Sequence, residues 1–181
     1  MYDIVEQIRD DHISMARILS IMEQEINPID GADDCDYALL IDCMRYMVEY
    51  ADVVHHPKED AMMQCISKKS AYLEALVGEI EKQHKLIRKS STEFYDIVKA
   101  VESEEIVSKE KISELGLKYI QMQRAHMKLE NEHLLSKVRA LLLHDDYLNI
   151  NKRYEKYRDP QLSENFETEY SALYHSLVST L

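Results

Sequence analysis

Apolar residues in the first part of the chain recur three and four positions apart: Ile4, Ile8, Met15, Ile18, Leu19, Met22 and Ile26. That spacing puts them on one face of a helix over 4–26, and Asn27-Pro28 ends it, with NPIDGADD as the following loop. The same reading predicts a second helix from about Asp36 to Ser67, a third from about Ala71 to Val101 and a fourth from about Lys109 to Leu143. ESEEIVS is the polar connection between the last two. DDYLNINKRYEKYRDP predicts a short helix stopped at Pro160, and Ser163 an N-cap for a final helix, Glu164 to Val178. No strand pattern survives. The fold class is all-α: an up-down-up-down four-helix bundle over 1–144, with short C-terminal helices over 145–181 packed on the same domain.

Composition narrows the function. Three glycines and three prolines in 181 residues disfavour a turn-rich fold. A net charge of −12 opposes binding to nucleic acid or to an anionic membrane surface. No apolar run approaches the ~20 residues that span a bilayer, and MYDIVEQIRDDH enters an amphipathic pattern with no signal region. Cys35, Cys43 and Cys65 are odd in number and lack CxxC spacing, so they read as reduced thiols of a cytoplasmic protein.

The histidines carry the chemistry. His12 and His84 each follow an isoleucine by four residues; His55 comes 43 residues after the first and His126 comes 42 after the second. Glu59 and Glu130 stand four residues beyond His55 and His126. The order H…HxxxE therefore occurs twice, as in a duplicated helical hairpin. Spacing of four places His and Glu on one helix face. Two such helices, with two more each presenting a His, bring four imidazoles and two carboxylates together in a bundle. Buried carboxylates without partners are costly. Two cations bridged by the carboxylates and capped by the imidazoles remove that cost, and this ligand mix suits iron, with manganese and zinc chemically allowed. The stretch VVHHPKEDAMM, residues 53–63, offers a second pair in that geometry, His56 and Asp60, rotated ~100° around the helix. The pair reads as flanking, because HMKLE repeats His-to-Glu spacing, with His56 a candidate additional ligand or support to one. Pro57 lies between the two ligands, where a bend would adjust how they converge.

With these residues in hand, the sequence resembles a hemerythrin-like protein of the bacterial HHE cation-binding type. The resemblance rests on Asp11-His12, on HHPKED from His55 to Asp60, on QHKLI around His84 and on HMKLE from His126 to Glu130. It covers about residues 3 to 143 and extends more weakly to the C-terminal helix. It implies a bundle holding two iron ions, bridged by carboxylate and oxo or hydroxo groups, with His12, His55, Glu59, His84, His126 and Glu130 as ligands. It also implies binding of dioxygen or a related small oxidant by a carrier, scavenger or sensor rather than a dedicated enzyme. A di-iron enzyme acting on peroxide or nitric oxide is the alternative; ferritin-like iron oxidation and a metal-free interaction module are more remote. A homodimer through the C-terminal helices is a further expectation.

Two features depart from the oxygen-carrying members. The position one turn after the third-helix ligand, a histidine in those proteins, is Arg88, which leaves one metal more open. Their last carboxylate is an aspartate five residues after the fourth-helix His, where this chain has Glu130 at four. His133, two turns after His126, and Tyr119, two turns before it, share that ligand's face and are candidates to complete or line the site. The ExxH motifs Glu81–His84 and Glu130–His133 fit a ferritin-like centre poorly, since they lie on consecutive helices and leave His12, His55 and His126 unused.

Overall fold

The computed structural model describes residues 3–27, 35–154 and 163–179. The described residues are almost wholly helical, with no strand among them. Helix α1 runs Ile4–Ile26 and starts where the Asp3 carboxylate accepts from the Val5 amide. The second long helix is one continuous rod in three parts: α2 (Tyr37–Tyr46), a π-helical stretch (Met47–His55) and α3 (His56–Ile66). In the π stretch the His56 amide donates to the Ala51 carbonyl, five residues back. Helix α4 (Ala71–Glu102) is capped by Ser70, and α5 (Lys109–Leu129) by Ser108. A second π stretch, Glu130–Leu135, joins α5 to α6 (Ser136–Leu141). Helices α7 (His144–Tyr154) and α8 (Ser163–Val178) follow. Pro160 lies outside the described residues, and the last helix begins at Ser163 itself.

Helix α1 packs against α2 and α5, and α4 against α2, α3 and α5, which closes a ring of four rods. Helix α7 lies on α3, and α8 lies across α1 and α2. Close approach of α5 to its neighbours depends on Gly116: a Cβ there would meet Ile26 Cδ1 at 2.5 Å and Phe94 Cζ at 2.7 Å. The connection after α4 contains Glu104, at φ 61°; the Glu105 amide reaches back to Ala100 O and the Glu104 amide to Val101 O. That is a Schellman end with glutamate in the left-handed position.

The apolar interior falls into two layers. One contains Ile4, Ile8, Met62, Ile66, Ile80 and Leu134 among others. The other runs from Met15 through Met44, Ile87, Phe94 and Tyr119. On the first three rods the break between the layers falls at the histidines, between Ile8 and Met15, Ala51 and Ala61, and Ile80 and Ile87; on the fourth it falls at Glu130, between Met127 and Leu134. The fold thus sandwiches one polar stratum between two dry ones.

Candidate metal centre

His12, His55, Glu59, His84, His126 and Glu130 occupy that stratum, each at most 5% exposed. The two carboxylates sit at its middle. Glu59 Oε1 lies 3.3 Å from Nε2 of both His12 and His55, while its Oε2 faces His84 Nε2 at 3.4 Å. Glu130 Oε2 is 3.3 Å from His12 Nε2 and 3.2 Å from His126 Nε2; its Oε1 is 3.7 Å from His84 Nε2. Each carboxylate therefore spans two sets of imidazoles.

A fifth imidazole joins them. His56 is fully buried, stacked on His84 with ring centroids 4.3 Å apart and edge-on to His126 at 5.5 Å. Its ligand atoms and those of Glu59, His84 and His126 lie within 4.8 Å of one another, and the same holds for His12, His55 and Glu59. Glu59 belongs to both groups. Spacing alone makes His56 at most an additional or supporting residue beside the six. In the structure the centre is wide enough to take two consecutive residues of one rod, because the π stretch ends there.

The outer nitrogens fix the rings. Nδ1 of His12 meets Asn131 Oδ1 at 3.1 Å, that of His55 meets Asp11 Oδ2 at 3.0 Å, that of His84 meets Asp60 Oδ1 at 3.0 Å and that of His126 meets Gln83 Oε1 at 3.1 Å. Those partners only accept, so each Nδ1 carries a proton and donates it outward. A donor–acceptor bond on the outer nitrogen orients a metal-binding imidazole and leaves Nε2 facing the centre. The acceptors form a cycle. Asp11 on α1 serves the second rod, Asp60 on the second rod serves α4, Gln83 on α4 serves α5, and Asn131 after α5 serves α1. Each is the sequence neighbour of a ligand candidate on its own rod: His12, Glu59, His84 and Glu130. His56 is held differently, with Nδ1 3.1 Å from Asp52 Oδ1 but outside hydrogen-bond geometry.

Nine atoms that face the middle of the centre are buried without hydrogen-bond partners: Nε2 of His12, His55, His56, His84 and His126, and both oxygens of Glu59 and of Glu130. Buried polar groups are rarely left so, and here five imidazole nitrogens converge on four carboxylate oxygens. That donor set fits metal cations. The electrostatics agree. Burial works against the charged form of both carboxylates, yet the surrounding imidazoles hold Glu59 well below, and Glu130 below, the usual carboxylate range. Burial pulls His12 down, but Glu130 and Glu59 beside it prevail and raise it to about 10. His84 is raised in the same way to about 11, with Asp60 the foremost opposing partner. Burial, with the charge of His84 next, keeps His56 well below its ordinary value, as burial does for His126.

The other candidates lie elsewhere. His133 is half exposed beside Glu132 at 3.9 Å. Tyr119 is buried in the apolar layer near Phe94, and its hydroxyl accepts from Gln123 Nε2 at 3.1 Å. Glu81 is exposed, so the ExxH set is not brought together. Arg88 is exposed too, with its guanidinium on the Asp52 carbonyl rather than in the centre. Sequence reasoning missed the cycle of acceptors. The signal for it was present, in a polar residue directly beside each of four ligand candidates.

Residues 3–138 match the family of the hemerythrin HHE cation-binding domain. No curated protein and no solved structure matches the chain.

Proposed function

The chain belongs to the hemerythrin HHE cation-binding domain family, and from that premise we propose that it is a di-iron protein that binds dioxygen or a related small oxidant as carrier, scavenger or sensor. One observation carries the reading: the nine buried nitrogen and oxygen atoms that find no hydrogen-bond partner within the protein. His12 and His55 would hold one ion and His56, His84 and His126 the other, with Glu59 and Glu130 bridging. Imidazole with bridging carboxylate suits iron. The rods would run up-down-up-down over 1–144, with 145–181 as an extension on the same unit. The absence of a disulfide among the described cysteines, Cys35, Cys43 and Cys65, supports a reducing, cytoplasmic setting.

When bound, the iron pair supplies reversible redox chemistry toward the oxidant. The chain's residues do the rest. The outward Nδ1 bonds of His12, His55, His84 and His126 aim each Nε2 at the middle, and the dry layers above and below restrict water. The imidazoles divide unequally, two against three, so His12 and His55 would give an ion fewer protein donors than His56, His84 and His126. That inequality also favours a second reading, a di-iron enzyme turning over peroxide or nitric oxide. Anaerobic loading with ferrous iron followed by air tests both. Two irons per chain and a new visible absorption band that degassing reverses are expected. No iron uptake would overturn the reading, and sustained consumption of peroxide or nitric oxide with a reductant would move it to the enzyme.

A further inference from the structure

Pro57 comes two residues after the π-helical stretch, which ends at His55. There each carbonyl accepts from the amide five residues on, and the last such bond runs from the His56 amide to Ala51 O. The next carbonyl, that of Asp52, needs the amide of residue 57, and proline has none. Asp52 is buried, and a buried carbonyl without a donor is costly. The donor comes from another helix. Arg88, one turn after His84 on α4, places its guanidinium NH2 3.1 Å from Asp52 O. Helix α4 grips the same residue a second time, where Ser91 Oγ donates to Asp52 Oδ2 at 2.6 Å. The free oxygen of that carboxylate is the one set 3.1 Å from His56 Nδ1.

We infer that Arg88 is a positioning residue for metal binding: it stands in for the amide that Pro57 lacks, keeps the π turn closed and thereby holds His56 against His84 and His126. The inference rests on the reading of His56 as a ligand of one of two ions. It gives Arg88 a use that its exposure conceals. Where the oxygen carriers place a ligand on the third helix, this chain places a clamp there that seats a ligand on the second.

The test uses ferrous iron as probe, titrated anaerobically into the metal-free full chain, with ions bound per chain, their separate affinities and far-ultraviolet circular dichroism as readouts. Arg88→Ala is expected to weaken one ion about 10- to 100-fold and spare the other. Arg88→Ala combined with Pro57→Ala returns an amide donor to position 57 and is expected to recover to within about threefold of the parent. Pro57→Ala alone should stay within about threefold, because Arg88 already supplies the bond. His56→Ala should lose the same ion and gain nothing from Pro57→Ala. Wild-type affinity for both ions in Arg88→Ala, or a double variant as weak as Arg88→Ala, overturns the inference while leaving the centre intact. A parent protein that takes up no iron overturns the reading of the centre, and the inference with it.

Discussion

Loading the metal-free protein with a divalent cation should expel protons, and the number follows from the charge state of the empty centre. At pH 8 His12, raised to about 10, and His84, raised to about 11, are both almost fully imidazolium. A cation needs their Nε2 lone pairs, so both protons must leave. His55 is also raised and adds to the count, making about two protons per chain the floor. His56 and His126, shifted down, and the two glutamates, already ionised, contribute none. Each displaced proton makes loading more favourable by about 1.4 kcal/mol per pH unit, so the product of the two affinities should climb at least about 100-fold per unit between pH 7 and 9. The sign is fixed by the empty state holding more protons than the loaded one. Stability of the metal-free form runs the other way: the contribution of the two raised histidines is complete below about 6.5 and is lost as pH rises through about 10 and 11. A pH-stat titration with ferrous iron under argon counts the protons, and isotherms at three pH values give the slope. Release of fewer than about one proton, or affinity independent of pH from 7 to 9, would refute the reasoning.

Asp11→Asn keeps the size of the side chain but leaves a single acceptor for Tyr50, His55 and Lys58, which now share two. Metal affinity should fall about 10- to 100-fold by isothermal titration, while Tyr50→Phe, which removes one donor only, should leave it unchanged. Glu104→Gly relieves the left-handed backbone after α4 and should stabilise the chain by about 0.5–1 kcal/mol in urea unfolding. Gly116→Ala drives a methyl into Ile26 and Phe94; overpacking outweighs the better helix propensity, and a net loss of about 1–2 kcal/mol is expected in the same assay.

The rods were legible in the sequence because burial imposes a period on apolar residues, and Ile4–Ile26, Ala71–Glu102 and Lys109–Leu129 follow it closely. The convergence of the six ligand candidates was legible because a repeated spacing is improbable without a shared purpose. The π stretches were not. A five-residue backbone bond differs from a four-residue one by a single position, and no side-chain type announces it. His56 ranks only as a candidate additional residue in the sequence for that reason, since ~100° of rotation excludes it only from an ideal helix. Arg88 was readable as a missing ligand but not as a clamp, because its partner is a backbone carbonyl 36 residues away, and carbonyls leave no trace in a sequence.

The cycle of acceptors around the centre has a consequence for how the chain finds its packing. Because each acceptor adjoins a ligand candidate on its own rod, sliding any rod by one residue spoils two things together: a contact to the middle and the clasp on the next rod's imidazole. The errors compound around the ring, so a register slip anywhere is sensed by two neighbours at once. Alternative packings of the same greasy stripes, which cost little in buried area, therefore carry a polar penalty that grows with each misaligned rod. The ring acts as a vernier: it reads the alignment of four helices against one another before any cation arrives.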